Sequence, residues 1–272
     1  MPTLEENQQT WNTTYGWTQQ GDEWSLTWGR VEAQWFGTIF PRIHAFIPTG
    51  TILEIAPGFG RWTQYLKDYC KHLVVIDLAE KCIEACRQRF ASDSHINYYV
   101  NDGKSLAMVE DKSIDFVFSF DSLVHTEADI IEAYLNQLAV KLKDNGIGFI
   151  HHSNIGSYGS YQQAFSVLEK IPDKVKHLTV RILLGRTHWR AASMTAKLFE
   201  AYCDNAGLQC IGQELINWGT RGHLIDCFSI FTPKNSIWSR PNKIIKNPEF
   251  MKEVNLIKKL SQVYTLKSFQ QK

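Results

Sequence analysis

Three histidines in this 272-residue chain stand where a proton could be moved. His125 closes Phe118-Ser-Phe120-Asp121-Ser-Leu-Val124, and His151 and His152 close a long apolar run that leads into Ser153-Asn154. Histidine is the commonest general base near neutral pH, because its unperturbed pKa lies there. Strand side chains alternate between faces, so only one of His151 and His152 reaches a given site. His125, then His152, are the expected bases, and Asp121 is placed to orient the base or an acceptor. The plainer reading gives each histidine a satisfied structural role and makes Asp121 a helix cap.

A second set of residues reads as a nucleotide site. The short apolar run Thr51-Ile-Leu-Glu54-Ile stops at Ala56-Pro57-Gly58-Phe59-Gly60, and a helical pattern begins near Trp62. Strand, glycine turn and helix open the ligand site of a βαβ unit. Gly58 and Gly60 admit backbone angles closed to other residues, and the helix start offers unpaired N–H groups. The next run, Leu73 to Ile76, ends in Asp77, whose carboxylate could take both hydroxyls of a ribose. A third run ends near Val100 and leads into Asn101-Asp102-Gly103, where an acid could accept from an adenine amino group. Adenosine is the expected ligand core. A dinucleotide is disfavoured, since the place for a third small residue holds Thr63 directly behind Trp62.

Glu54-Ile-Ala56-Pro57-Gly58-Phe59-Gly60 resembles the E/D-x-G-x-G-x-G motif of class I S-adenosylmethionine (SAM) methyltransferases, with Ala56 in place of the first glycine. Asp77, the Asn101-Asp102-Gly103 turn and Ile114-Asp-Phe-Val-Phe-Ser119-Phe-Asp121 resemble the later motifs in the right order. The resemblance covers roughly residues 50 to 232. It implies SAM as cofactor, held by Glu54, Ala56, Gly58, Gly60, Asp77, Leu78, Asp102, Gly103 and Phe120. It implies a Rossmann-like, doubly wound α/β sheet of seven strands with the last antiparallel. It also implies that the loop carrying His125 faces the methyl group.

The elements that must position these residues alternate. Strands are expected near 51–55, 73–77, 96–100, 114–120 and 146–152, with helices near 62–70, 79–90, 103–108 and 127–143. Such alternation predicts a mostly parallel sheet with helices on both faces and ligands at the strands' carboxyl ends. Ser193 and Gly207 are expected to cap a helix from Met194 to Ala206, and 208–218 with 224–231 read as a terminal hairpin. Residues 1–49 form an expected N-terminal helical lid: Trp24, Trp28 and Trp35 share a helical face, which predicts one helix from about Glu23 to Ile43. That face either packs on the sheet or lines the pocket, with Tyr15 and Trp17 as the pocket-facing pair. Aromatic faces attract cations such as a sulfonium by roughly 0.5–2 kcal/mol. Residues 50–232 are the expected SAM-binding domain. Within it, 153–192 exceed an ordinary connection and read as an inserted helical cap over the acceptor, where Arg186 and Arg190 could meet a polar group. Residues 233–272 read as a helical tail on the body or on a partner subunit of a possible homodimer.

A formal net charge of +1 gives no support for a nucleic-acid partner. The first residues lack a signal-peptide pattern, no apolar run is long enough to cross a bilayer, and none of the six cysteines forms a C-x-x-C pair, so a cytoplasmic protein without a membrane partner is expected. Cys82 and Cys86, one helical turn apart, read as buried positions rather than metal ligands. In catechol-type methyltransferases acids and an Asn hold magnesium. Asp121 and Asn154 correspond loosely, but histidine replaces the acid after strand five and is a poor magnesium ligand, so no metal is expected. Taken together, the residues predict a SAM-dependent methyltransferase acting on a hydroxyl of a small molecule, a sugar or secondary metabolite. The alternatives are an N-methyltransferase on an amine, a non-catalytic SAM-binding module and a nicotinamide oxidoreductase.

Overall fold

The computed structural model describes residues 3–159, 190–220 and 222–264. Its spine is an eight-stranded sheet of order β3-β2-β1-β4-β5-β7-β6-β8. The strands are β1 (Thr49–Ile55), β2 (Cys70–Asp77), β3 (Ile96–Val100), β4 (Ile114–Ser119), β5 (Leu142–Ser153), β6 (Leu208–Ile216), β7 (Asp226–Pro233) and β8 (Lys243–Asn247). The first five are parallel. Their apolar runs are near-continuous because both faces are covered. β7 runs antiparallel between β5 and β6, as expected of the last strand of a seven-stranded sheet. At Gly148 an added Cβ would lie 2.1 Å from the Phe231 ring, so a bare backbone in β5 makes room for β7.

The eighth strand departs from the expectation of seven strands and a purely helical tail. β8 adds parallel to β6 at the sheet edge. Ile244 and Ile245 are both exposed there, so the strand shows no alternation of buried and exposed positions.

The helices that follow β1, β2, β4, β5 and β8 are α4 (Thr63–Leu66), α5 (Glu80–Arg89), α6 (Ala128–Lys141), α7 (Ala196–Asn205) and α8 (Phe250–Tyr264), and three shorter ones, α1 (Leu4–Gln9), α2 (Val31–Gln34) and α3 (Phe40–Ile43), precede the sheet. The helix expected near 103–108 is a series of turns. α7 is capped by Thr195, whose side chain accepts from Leu198 N, rather than by Ser193. Ser193 Oγ instead accepts from Ala128 N at the start of α6. Gly207 does end α7, at φ 81°.

The single helix expected over 23–43 is broken. A 3-10 stretch, Asp22–Trp28, stops at Gly29 with φ 96°. Then follow α2 (Val31–Gln34), a π-type turn (Trp35–Ile39) and α3 (Phe40–Ile43). The break separates the three tryptophans. Trp28 and Trp35 enter the core on one face of the sheet, while Trp24 stays 40% exposed. α1 is Leu4–Gln9, closed by a Thr3/Glu6 capping box. α8 packs on this segment of the same chain. Ile257 fills the space beside Gly37, Ser261 that beside Gly29, and Arg42 bonds both Glu214 of β6 and Glu253 of α8. Among the described residues, no helix is long and apolar enough to cross a membrane.

Candidate functional site

A cavity of about 890 Å³, its open mouth included, lies at the carboxyl ends of β1, β2 and β4 and beneath the N-terminal segment. The turn after β1 forms its floor. Ala56 and Gly58 both have φ 59° and Gly60 has φ 85°. Ala56 therefore keeps the left-handed backbone that a glycine would take without strain. The turn is pinned from the next strand, since Ser122 Oγ donates to Ala56 O at 2.7 Å.

Asp77 ends β2 on the cavity wall and is 5% exposed. Its Oδ1 accepts from Ala79 N at 2.8 Å and its Oδ2 from Gly58 N at 3.2 Å. Burial pushes its carboxyl up to about 6, against the lowering effect of those N–H groups. Leu78 and Gly103 also line the cavity, and Leu4 of α1 sits so close that a Cβ on Gly103 would meet it at 2.6 Å. Trp11, Trp17 and Trp24 also line the cavity. Trp17 stacks on Phe59 with centroids 4.3 Å apart, and its ring edge covers Gly58.

Other expected cofactor residues lie off the wall. Glu54 is buried behind the turn, where it accepts from Thr63 Oγ1 at 2.6 Å and leaves Oε1 without a partner. Burial pushes its carboxyl up to about 8, so it is largely protonated near neutral pH. Gly60 serves packing, because a Cβ there would lie 2.5 Å from the Phe90 ring. Phe120 is core, packed on Phe118, His151 and Phe228. Asp102 is exposed, and its Oδ1 closes its own turn by accepting from Lys104 N and Ser105 N.

The proposed acid–base residues separate as well. His125, on a 3-10 turn (Leu123–His125), and Asp121 both line the cavity. The His125 ring centroid is 6.0 Å from that of Trp11. Asp121, at φ 61°, pairs through Oδ2 with Arg61 Nη2 at 2.9 Å. His152 lies elsewhere. Strand alternation turns it toward α7, where it stacks on Phe199. Its Nδ1 is 2.8 Å from Ser153 O and its Nε2 2.8 Å from Ser229 Oγ. Burial lowers its pKa to about 4, and with both nitrogens held it is a structural imidazole. His151 faces the other way, with Nδ1 accepting from Asp121 N at 3.1 Å.

Tyr15 is not on the cavity wall; it supports the wall from behind, stacking on Trp24 and donating to Glu23. Arg190 is buried against Asp226, and Arg186 lies outside the described residues. Asn154 spends Nδ2 on Leu224 O and Oδ1 on Ala196 N and Ser157. Among the described residues no three His, Cys, Asp or Glu side chains gather as a metal cluster.

Sequence reasoning missed Arg61, which also lies over the Trp62 ring at 4.6 Å, and the wall residues Asn7, Cys82 and Tyr134. Arg61 and Asp121 stand sixty positions apart, with no spacing that announces their pairing.

The chemistry of the wall fits an S-adenosyl group. A carboxylate stands at the second strand end for a ribose diol. Gly103 and Leu78 leave room for a flat base, and the indoles face the side open to a cation. Sheet order, glycine turn and strand-end acid together define a class I SAM-dependent methyltransferase fold. Residues 52–146 match the family described as methyltransferase domain. It is 42% identical over 55 residues to nodulation protein S of Sinorhizobium fredii, a stretch covering 20% of this chain and 26% of that protein. It is 28% identical over 119 residues to phosphoethanolamine N-methyltransferase 1 of Triticum aestivum, covering 42% of this chain and 24% of that protein. The chain thus spans about a quarter of the length of these relatives. The N-methyltransferase NodS of Bradyrhizobium japonicum, solved with S-adenosylhomocysteine, shares the fold. Its TM-score is 0.52 at 17% identity, over 78% of this chain and 91% of that one.

Proposed function

We propose that the protein is a SAM-dependent methyltransferase whose acceptor is a small-molecule amine. The observation that carries this reading is the composition of the cavity wall: His125 stands beside Trp11, Trp24 also lines the cavity, and Trp17 covers the glycine turn at Gly58. Bound SAM supplies the electrophilic methyl group. The residues do the rest. Asp77 and the turn hold the adenosine, the indoles attract an ammonium and exclude water, and His125 takes the ammonium proton so that the nitrogen lone pair is free. The similarity to a phosphoethanolamine N-methyltransferase supports nitrogen as the acceptor.

The hydroxyl expectation rested on base-like histidines at adjacent strand ends and on the aromatic cap, and His152 does not reach the cavity. A hydroxyl acceptor remains the second reading, favoured by the presence of His125 itself, because an alcohol keeps its proton at neutral pH and needs a base.

A panel of small amines and hydroxyl compounds incubated with SAM, read by product mass, tests the assignment. Methylated amine is expected, with turnover falling on the order of 10²–10⁴-fold in His125→Ala. Transfer to hydroxyl compounds alone would reverse the acceptor, and a His125→Ala variant within a few-fold of wild type would remove the base. S-adenosylhomocysteine binding without transfer to any compound would favour a non-catalytic module.

A further inference from the structure

Behind the cavity runs a buried chain of polar groups that the catalytic reading does not use. Asp121 projects its carboxylate onto the cavity wall from a left-handed backbone, a conformation that costs a non-glycine residue about 1–2 kcal/mol. What holds it there is on the next strand: the Asp121 N–H donates to His151 Nδ1 at 3.1 Å. His151 is fully buried among Phe120, Trp218 and Phe228. An imidazole that accepts at Nδ1 carries its proton on Nε2. That atom lies 3.2 Å from Asp226 Oδ2, in a contact too bent for a good hydrogen bond. Asp226 is in turn bound in a fork by Arg190, with Nε to Oδ1 at 3.0 Å and Nη2 to Oδ2 at 2.8 Å.

We infer that His151 is a positioning residue, holding Asp121 in the cavity by accepting its backbone N–H at Nδ1. The charges around it balance for that purpose. Asp226 alone would favour an imidazolium, but the Arg190 guanidinium neutralises it. On the cavity side Asp121 is matched by Arg61, and the neighbouring His152 is a buried neutral ring. A second proton on His151 would set Nδ1–H against the Asp121 N–H, donor against donor, and release the turn. The inference deepens the methyltransferase reading and rests on it, since the cavity must hold the cofactor for Asp121 to matter there.

The test compares S-adenosylhomocysteine with sinefungin, the analogue in which a carbon bearing a protonated amine replaces the methylsulfonium. The ratio of their affinities reads the charge near the methyl position. Calorimetry at pH 7.5 is run on wild type, His151→Asn and His151→Phe. Asn places a non-titrating acceptor oxygen where Nδ1 stands; Phe offers none. At neutral pH the preference for sinefungin is expected to fall roughly 5- to 10-fold in His151→Phe, the worth of one backbone hydrogen bond, and to stay within about threefold in His151→Asn. An equal ratio in all three proteins overturns the inference, as does His151→Asn behaving like His151→Phe. Should His151→Phe fail to fold, His151→Leu, which likewise offers no acceptor, takes its place in the comparison. Wild type binding neither compound would instead defeat the methyltransferase reading.

Discussion

Replacing Trp17 with Ala should loosen the cover of the cofactor cavity without unfolding the protein. Trp17 lies flat on Phe59, with centroids 4.3 Å apart and planes 10° from parallel, and meets the glycine turn at Gly58. Its Nε1 donates to the Trp11 backbone carbonyl, which ties the indole to the segment at Trp11. An offset aromatic stack is worth about 0.5–1.5 kcal/mol beyond area. Half-burial of an indole adds about 1 kcal/mol more. A loss of about 2 kcal/mol in closing the segment corresponds to roughly 10- to 50-fold in the affinity of a ligand held beneath it. The rest of the lid stays anchored by Trp28 and Trp35 in the core, so melting should shift little. Stopped-flow dissociation of S-adenosylhomocysteine, followed by tryptophan fluorescence, is the assay. The loss should appear as faster release, and Trp17→Phe should recover most of it. An Ala variant that binds within twofold of wild type and releases at the same rate would refute the idea that this segment closes the site.

Two further outcomes follow from backbone strain and buried charge. Ala56→Gly removes left-handed strain of about 1–2 kcal/mol and adds about 0.4–1 kcal/mol of unfolded-state entropy. The melting temperature in calorimetry should therefore stay level or rise by about 1–3 °C, with S-adenosylhomocysteine binding retained. Arg42→Ala leaves Glu214 and Glu253 without their shared cation in a mostly buried place, and should cost about 2–4 kcal/mol, seen as a fall of about 5–10 °C. Burial raises Glu214, yet Arg42 holds it below the usual carboxylate range. The contribution is thus present at neutral pH and fades as pH falls through the depressed value, so the gap between wild type and variant should narrow in acid.

The central sheet was legible because each parallel strand is an apolar run ending in a turn residue. Asp77, Gly58 and Gly103 reached the cavity because such ends gather along one edge of the sheet. What failed depended on side-chain direction. His152 and Phe120 sit on correctly placed strands or loops, but pleating and packing turn them into the core. Asp102 has a turn of its own to close, a local bond that competes with any ligand. The lid misled because helical spacing of its tryptophans ignores Gly29, which breaks the helix and sends Trp24 to the cavity while Trp28 and Trp35 go to the core. β8 was invisible because a short edge strand with adjacent exposed isoleucines carries no period. The Arg61–Asp121 and Arg190–Asp226 pairs arise from topology alone.

The account stands most directly on calorimetric titration with S-adenosylhomocysteine of wild type and Asp77→Ala, at pH 7.5 and again below pH 6. Wild type should bind at pH 7.5 and weaken below about pH 6, because a carboxyl raised to about 6 by burial takes up a proton there and loses its capacity to accept from both ribose hydroxyls. Asp77→Ala should bind at least 100-fold more weakly at pH 7.5, the worth of two hydrogen bonds to a charged group at about 1.5 kcal/mol or more each. Wild type that fails to bind, or an Ala variant with undiminished affinity and the same pH dependence, would contradict the assignment of this cavity to the cofactor.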